Sequence, residues 1–173
     1  MEESELELES RRRIYRHVAE SPGTHFRSLV EELDYAKGTV QYHLDWLVKN
    51  GIVERSEDGK YTRYYPAESF DESDTEVMNA LRSEYTRRIV GHLASEGPLT
   101  TSELTDRLDK SGSTVSWHLS NLQEDGVVEK SREGREVKYE LTEPERVKYL
   151  YTVHRKSFAD RVVDRLLDLW ESY

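Results

Sequence analysis

Two stretches of this chain carry the side chains best suited to chemistry, and each is a version of the other. One runs Tyr35-Ala-Lys-Gly-Thr-Val-Gln-Tyr-His-Leu-Asp-Trp-Leu-Val-Lys-Asn-Gly51; the other, 75 residues later, runs Lys110-Ser-Gly-Ser-Thr-Val-Ser-Trp-His-Leu-Ser-Asn-Leu-Gln-Glu-Asp-Gly126. Thr39 and Thr114, Val40 and Val115, His43 and His118, Leu44 and Leu119, Leu47 and Leu122, Gly51 and Gly126 stand in register. Val115, Leu119 and Leu122 fall at i, i+4 and i+7, so a helix here gathers them into one apolar stripe and turns Ser113, Thr114, Ser116, Ser120 and Asn121 away from it. Hydroxyls and an amide both donate and accept hydrogen bonds, so the chemistry on offer is the matching of a polar edge on another molecule. Thr39, Gln41 and Tyr42 occupy the corresponding face of the first stretch. Two roles are open to Tyr42 and Trp117, which share a position: packing beside the stripe, or contact with a bound molecule.

The same residue types exclude other chemistry. There is no glycine loop able to cradle phosphate, no nucleophile beside a base, and no pair of carboxylates on one helix face, so the chain is not read as an enzyme. Its six histidines and absent cysteines form no zinc spacing, and no cofactor or metal is implied. His43 and His118, each just before a core leucine, are read as structural, as are the recurring His17 and His92.

The elements that position these stretches also recur. Over residues 12–64 against 87–139, 19 of 53 positions are identical. In the first copy, Ser10 to Ala19 reads as a helix with Ile14 and Val18 inward and Arg11, Arg12, Arg13 and Arg16 mostly outward, after a frayed acidic start. Thr24 is expected to cap a second helix bearing Phe26, Leu29, Val30 and Leu33, and Leu33 to Ala36 is the tight turn before the third helix. Ile52–Ser56 and Tyr61–Tyr65 read as strands around Asp58-Gly59. In the second copy Val77, Leu81, Tyr85, Ile89 and Leu93 mark one helix, with Asp74 its expected N-cap. Thr100 to Glu103 is a capping box, Ser111 caps the third helix, and Val127–Ser131 and Arg135–Leu141 make the hairpin. Ala36 replaces Ser111 in the first copy, which forfeits about 1 kcal/mol of capping. Three helices and a hairpin make a winged helix-turn-helix, so the fold class expected is mostly α with small β-wings (α+β), a tandem winged helix-turn-helix. The divisions expected are a first domain at 1–66, an acidic linker at 67–76, a second domain at 77–141, and a long C-terminal dimerisation helix at 142–173. Tyr151, Phe158, Val162, Leu166, Leu169 and Trp170 form the apolar seam of that last helix, which needs a partner surface.

The net charge of −10 lies mostly outside the two repeats. Residues 12–64 carry 9 basic and 8 acidic side chains and residues 87–139 carry 8 and 9, whereas residues 1–11 are at −4 and 65–86 at −5. The acidity therefore argues only weakly against a nucleic-acid partner. Cations sit where the wings would meet a phosphate backbone: Arg55, Lys60 and Arg63 in the first, Lys130, Arg132, Arg135 and Lys138 in the second, with Lys37 at the start of the first third helix. Arginine outnumbers lysine 17 to 8 beside 35 acids, a composition similar to that of salt-adapted, halophilic proteomes. Without cysteine or a long apolar run, the chain is expected to be cytoplasmic and off the membrane.

Thr-Val-Ser-Trp-His-Leu at 114–119, Gly-Thr-Val-Gln-Tyr-His-Leu at 38–44, His25-Phe26-Arg27 and the ending Arg63-Tyr64-Tyr65-Pro66 resemble archaeal transcriptional regulators with two winged helix-turn-helix domains, related to the ArsR and MarR type. The resemblance implies a repressor or activator that binds double-stranded DNA, often as a homodimer, with third helices in the major groove and wings on the backbone. The cysteine pairs of metal-sensing relatives are missing, and no residue pattern specifies a small-molecule effector. Asp45 and Trp46 replace Ser120 and Asn121, so the second unit is expected to read bases and the first to read fewer or to pack against protein. The rival expectation is a tandem winged-helix interaction subunit, of the kind found in SMC-kleisin or basal transcription assemblies.

Overall fold

The computed structural model describes residues 5–59 and 61–158, with side chains from Glu7 onward. Two compact units divide at Thr75 and Glu76. The first unit holds α1 (Glu5–Glu20), β1 (Thr24–His25), α2 (Phe26–Leu33), α3 (Lys37–Lys49), β2 (Val53–Asp58) and β3 (Tyr61–Pro66), in a three-stranded antiparallel sheet of order β1-β3-β2. After α4 (Glu72–Arg82) the second unit repeats the pattern with α5 (Glu84–Glu96), β4 (Leu99–Thr100), α6 (Thr101–Arg107), α7 (Gly112–Glu124), β5 (Val128–Glu133) and β6 (Glu136–Leu141), the sheet again ordered with the return strand central. It then adds α8 (Pro144–His154) and a short 3-10 turn (Arg155–Ser157).

Both helix-turn-helix cores come from the apolar stripes. In the first unit Ile14, Val18, Leu29, Val40, Leu44, Leu47 and Val53 are at most 2% exposed and form one cluster with Tyr64. In the second Ile89, Leu104, Leu108, Val115 and Leu119 are equally closed off. Each such side chain contributes about 1.5–3 kcal/mol on full burial, which ties the outward face of α3 and α7 to a fixed rotation about the helix axis. Gly51 and Gly126 end those helices in the left-handed region, at φ 67° and 75°. Their amides bond to Val48 O and Gln123 O, and the following amides to Leu47 O and Leu122 O, the paired bonds of a Schellman motif.

Several boundaries differ from the sequence expectation for physical reasons. α1 starts at Glu5, so residues 5–9 are helical where fraying was expected. The N-cap of α2 is His25 in place of Thr24, its Nδ1 accepting from the Ser28 amide at 3.1 Å. Asp71, not Asp74, caps α4 by accepting from the Asp74 amide at 2.7 Å, and Asp74 is buried inside the first turn. The expected continuous helix from Val77 to Leu93 breaks at Ser83, which is extended. Side chains take over the carbonyls freed there: Thr86 Oγ1 donates to Ala80 O (2.6 Å) and Arg87 to Leu81 O (2.6 Å).

The long C-terminal helix is corrected as well. α8 stops at His154, and Phe158 follows the 3-10 turn in extended backbone. Arg82 holds that end by donating to Ser157 O and Ser157 Oγ, both at 2.8 Å. Phe158, 6% exposed, stacks on Tyr151 at 5.5 Å under the guanidinium of Arg82 at 4.7 Å. Tyr151 and Phe158, expected in a dimer seam, are thus buried within their own unit, while Val162, Leu166, Leu169 and Trp170 lie outside the described residues. Among the described residues no helix is long and apolar enough to cross a membrane.

Candidate nucleic-acid interface

α7 is the best-formed polar face in the chain. Ser111 caps it, its Oγ accepting from the Thr114 amide at 3.3 Å and sharing hydrogen bonds with the hydroxyls of Thr114 (2.9 Å) and Ser113 (3.1 Å). Two of the predicted base-reading hydroxyls are therefore drawn into the cap. With Val115, Leu119 and Leu122 facing the core, Ser116, Trp117 and Ser120 are exposed and Asn121 is half-buried at the edge of the face. Trp117, 62% exposed, belongs to the outer face and not to the core.

α3 presents the same geometry with different chemistry. Ala36 at its N-cap makes no side-chain bond, as its residue type dictates. Gln41 donates to Asp45 Oδ1 at 2.8 Å, so the one amide on this face is engaged by a carboxylate that repels phosphate. Tyr42 is 55% exposed, Thr39 is half-buried, and Lys37 is exposed at the first turn. Trp46 packs as expected, with the guanidinium of Arg11 3.7 Å above its ring. That contact places Arg11, expected outward, among the buried residues at 5% exposure.

The wings sort their cations into two groups. Arg55, Lys130, Arg132 and Arg135 are exposed on the hairpins, and Lys60 lies outside the described residues. Arg63 corrects the expectation of a phosphate-reaching side chain: it is 4% exposed, donating from Nε to Asp58 Oδ2 at 2.6 Å and from Nη1 to Gly23 O at 3.0 Å. Lys138 holds the equivalent place and donates to Glu133 Oε2 at 2.6 Å, a contact that raises the lysine's pKa and lowers the glutamate's. In both repeats, then, the third residue of the return strand staples back to the last residue of the outgoing strand. The signal was available as the pairs Asp58/Arg63 and Glu133/Lys138, five apart across each turn, and counting wing cations alone passes over it.

The histidines take local positions. His43 is 3% exposed, 5.1 Å from the Tyr42 ring, and His118 lies 4.5 Å from Tyr85, where burial lowers its pKa. His17 meets Glu32 at 3.3 Å and His92 meets Glu96 at 2.9 Å, while hydrogen bonds from Arg107 and then His92 hold Glu96 below the usual carboxylate range.

Residues 8–78 match a family model described as an N-terminal HTH domain, and residues 81–131 match one described as a helix-turn-helix domain. The chain carries two helix-turn-helix domains in tandem. The tandem is 29% identical over 142 residues to an uncharacterized HTH-type transcriptional regulator of Methanocaldococcus jannaschii, covering 82% of this chain and 36% of that protein. It therefore spans about a third of the length of the curated relative it matches. Among solved structures it is similar to HlyU from Vibrio cholerae N16961 (29% identity, 51% of this chain and 96% of that one, TM-score 0.44). An ArsR-like transcriptional regulator from Rhodococcus sp. RHA1 also matches (29% identity, 58% and 88% covered, TM-score 0.39). In the terms of the helix-turn-helix, α2–α3 and α6–α7 are the motifs, and β2–β3 and β5–β6 the wings.

Proposed function

We propose that this tandem is a sequence-specific double-stranded DNA-binding transcription regulator, with α7 as its principal reading helix in the major groove and the β5–β6 wing on the phosphate backbone. The observation that carries the reading is the outward face of α7: Ser116, Trp117, Ser120 and Asn121 project from a helix whose opposite side is locked into the core. The exposed Lys130, Arg132 and Arg135 on the adjoining hairpin supply charge where a bound duplex presents phosphates. The regulator of M. jannaschii that matches most of the chain supports the same role. α3 reads fewer bases, because Gln41 is tied to Asp45 and Trp46 is folded against Arg11.

The regulator acts as a homodimer on an inverted repeat, and its acidic surface suits it to high salt, where the Debye length falls to about 3 Å and long-range repulsion from DNA is screened. Tyr149 and Val153 on α8, 54% and 56% exposed, are proposed for the dimer contact in place of the buried Tyr151 and Phe158. Titrating duplex DNA from the chain's own promoter region over a salt series tests the function. Binding that weakens with salt and prefers one duplex over its scramble is the result expected; a folded chain that binds no duplex at any salt rejects it. Light scattering at micromolar concentration tests the dimer, and a monomer mass rejects it.

A further inference from the structure

We propose that Trp117 recognises the 5-methyl group of thymine in the major groove, with Tyr42 as its weaker counterpart on α3; the inference rests on the DNA-binding reading above. An indole left 62% exposed in the middle of a serine-rich helix face is a large apolar surface turned to solvent. The feature is built twice. Tyr42, at the same register, is 55% exposed, whereas on the preceding turn of either helix the valine, Val40 or Val115, is buried and the remaining side chains are small or polar.

Both rings are braced. Trp117 meets the ring of His118 edge to face, at 4.8 Å and 78°, and His118 rests in turn on Tyr85 of α5 at 4.5 Å. Tyr42 meets the buried His43 at 5.1 Å and 65°. A histidine behind each aromatic fixes the direction in which it points, and this accounts for why His43 and His118 recur with the motif although neither reaches the outer face.

The occupant follows from groove chemistry. Among the base-pair edges of the major groove, the thymine methyl is the one apolar group that stands out from the edge; cytosine has only a C5–H in that place, and the groups that distinguish the bases otherwise are donors and acceptors. The serines around Trp117 satisfy donors and acceptors alike and so discriminate poorly. A braced indole discriminates, because it gains by covering a methyl and leaves a bare donor or acceptor unsatisfied. Asn121, one turn beyond Trp117 on the same side, has the amide that pairs with adenine N6 and N7, so the two together favour A·T pairs under the second half of α7.

The experiment uses the full chain. A duplex selected from a random pool is resynthesised with each thymine replaced in turn by uracil, which removes only the methyl and leaves pairing, sugar and phosphate as they were. The wild-type chain is expected to lose about fourfold at one or two positions, the change conferred by covering one methyl-sized group. Trp117→Ala is expected to weaken binding to the thymine duplex and to lose the thymine–uracil difference at those positions; Trp117→Phe should keep part of it. Equal binding of thymine and uracil duplexes by the wild type overturns the inference while leaving DNA binding intact. So does a selected site with no preferred thymine, or a difference that survives undiminished in Trp117→Ala. No selectable duplex at all overturns the reading beneath it.

Discussion

Replacing Arg63 by alanine should cost folding stability and leave the electrostatics of DNA binding alone, the reverse of what its place on a wing suggests. The side chain is 4% exposed, and removing it leaves two acceptors behind, Asp58 Oδ2 at 2.6 Å and Gly23 O at 3.0 Å. Hydrogen bonds with a charged partner are each worth about 1.5–3 kcal/mol, and Asp58, 30% exposed, recovers some hydration, so a loss of about 2–4 kcal/mol in the first unit is expected. Arg132 on the second wing is exposed, so Arg132→Ala should change stability by no more than about 0.5 kcal/mol. Its effect should appear in the slope of log affinity against log salt, which falls by about 0.9 when one phosphate contact is lost. Denaturant unfolding and a salt series of duplex titrations, with both variants verified as folded, separate the two. An Arg63→Ala chain of native stability whose salt slope drops by about one phosphate would refute the assignment of Arg63 as a hairpin staple.

Capping can be tested in both repeats at once: Ser111→Ala should lose about 1 kcal/mol and Ala36→Ser should gain a comparable amount, read by denaturant unfolding. Phe158→Ala should destabilise the second unit by about 3–5 kcal/mol, because it empties the site between Tyr151 and Arg82; a change under about 1 kcal/mol would place Phe158 elsewhere. His25 caps α2 only with Nδ1 unprotonated, and burial, then Arg63, lowers its pKa. A histidine depressed in the folded state contributes stability that is full above its ordinary pKa of about 6.5 and is lost as pH falls through the lower folded value. The thermal midpoint of the wild type should therefore fall on acidification below that point more than that of His25→Asn, which caps without titrating; parallel curves would remove His25 from the account.

The elements and their order within residues 12–64 and 87–139 were legible because the helices carried periodic stripes and stop signals, as in Val115, Leu119, Leu122 and Gly126, and because each copy of the repeat was a second witness to the other. What was hidden depended on side chains reaching across the fold. Arg63 and Arg11 count as surface cations until Asp58 and Trp46 are seen beside them. The helical spacing from Val77 to Leu93 runs unbroken through Ser83, since a break made by Thr86 and Arg87 bonding back to carbonyls leaves no mark on apolar periodicity. The same holds for Phe158, which fits a continuous helix in spacing but lies in extended backbone past the end of α8, next to the Ser157 that Arg82 binds. Of the outward face of α7, the residue types were plain, but whether Trp117 was core or surface was not, because an indole suits packing as readily as contact with another molecule.

The central claim, that α7 reads duplex DNA by sequence, is tested most directly by the ratio of affinities for a selected duplex and its scramble at fixed salt. The wild-type ratio is compared with that of a chain carrying Ser116→Ala and Asn121→Ala. A ratio of about 10³ or more is expected for the wild type. The double variant should lower it by about tenfold to a hundredfold, chiefly at the pair that Asn121 contacts, while leaving the salt slope unchanged. A folded wild-type chain whose ratio is near one, or a double variant whose ratio is intact, would contradict the account.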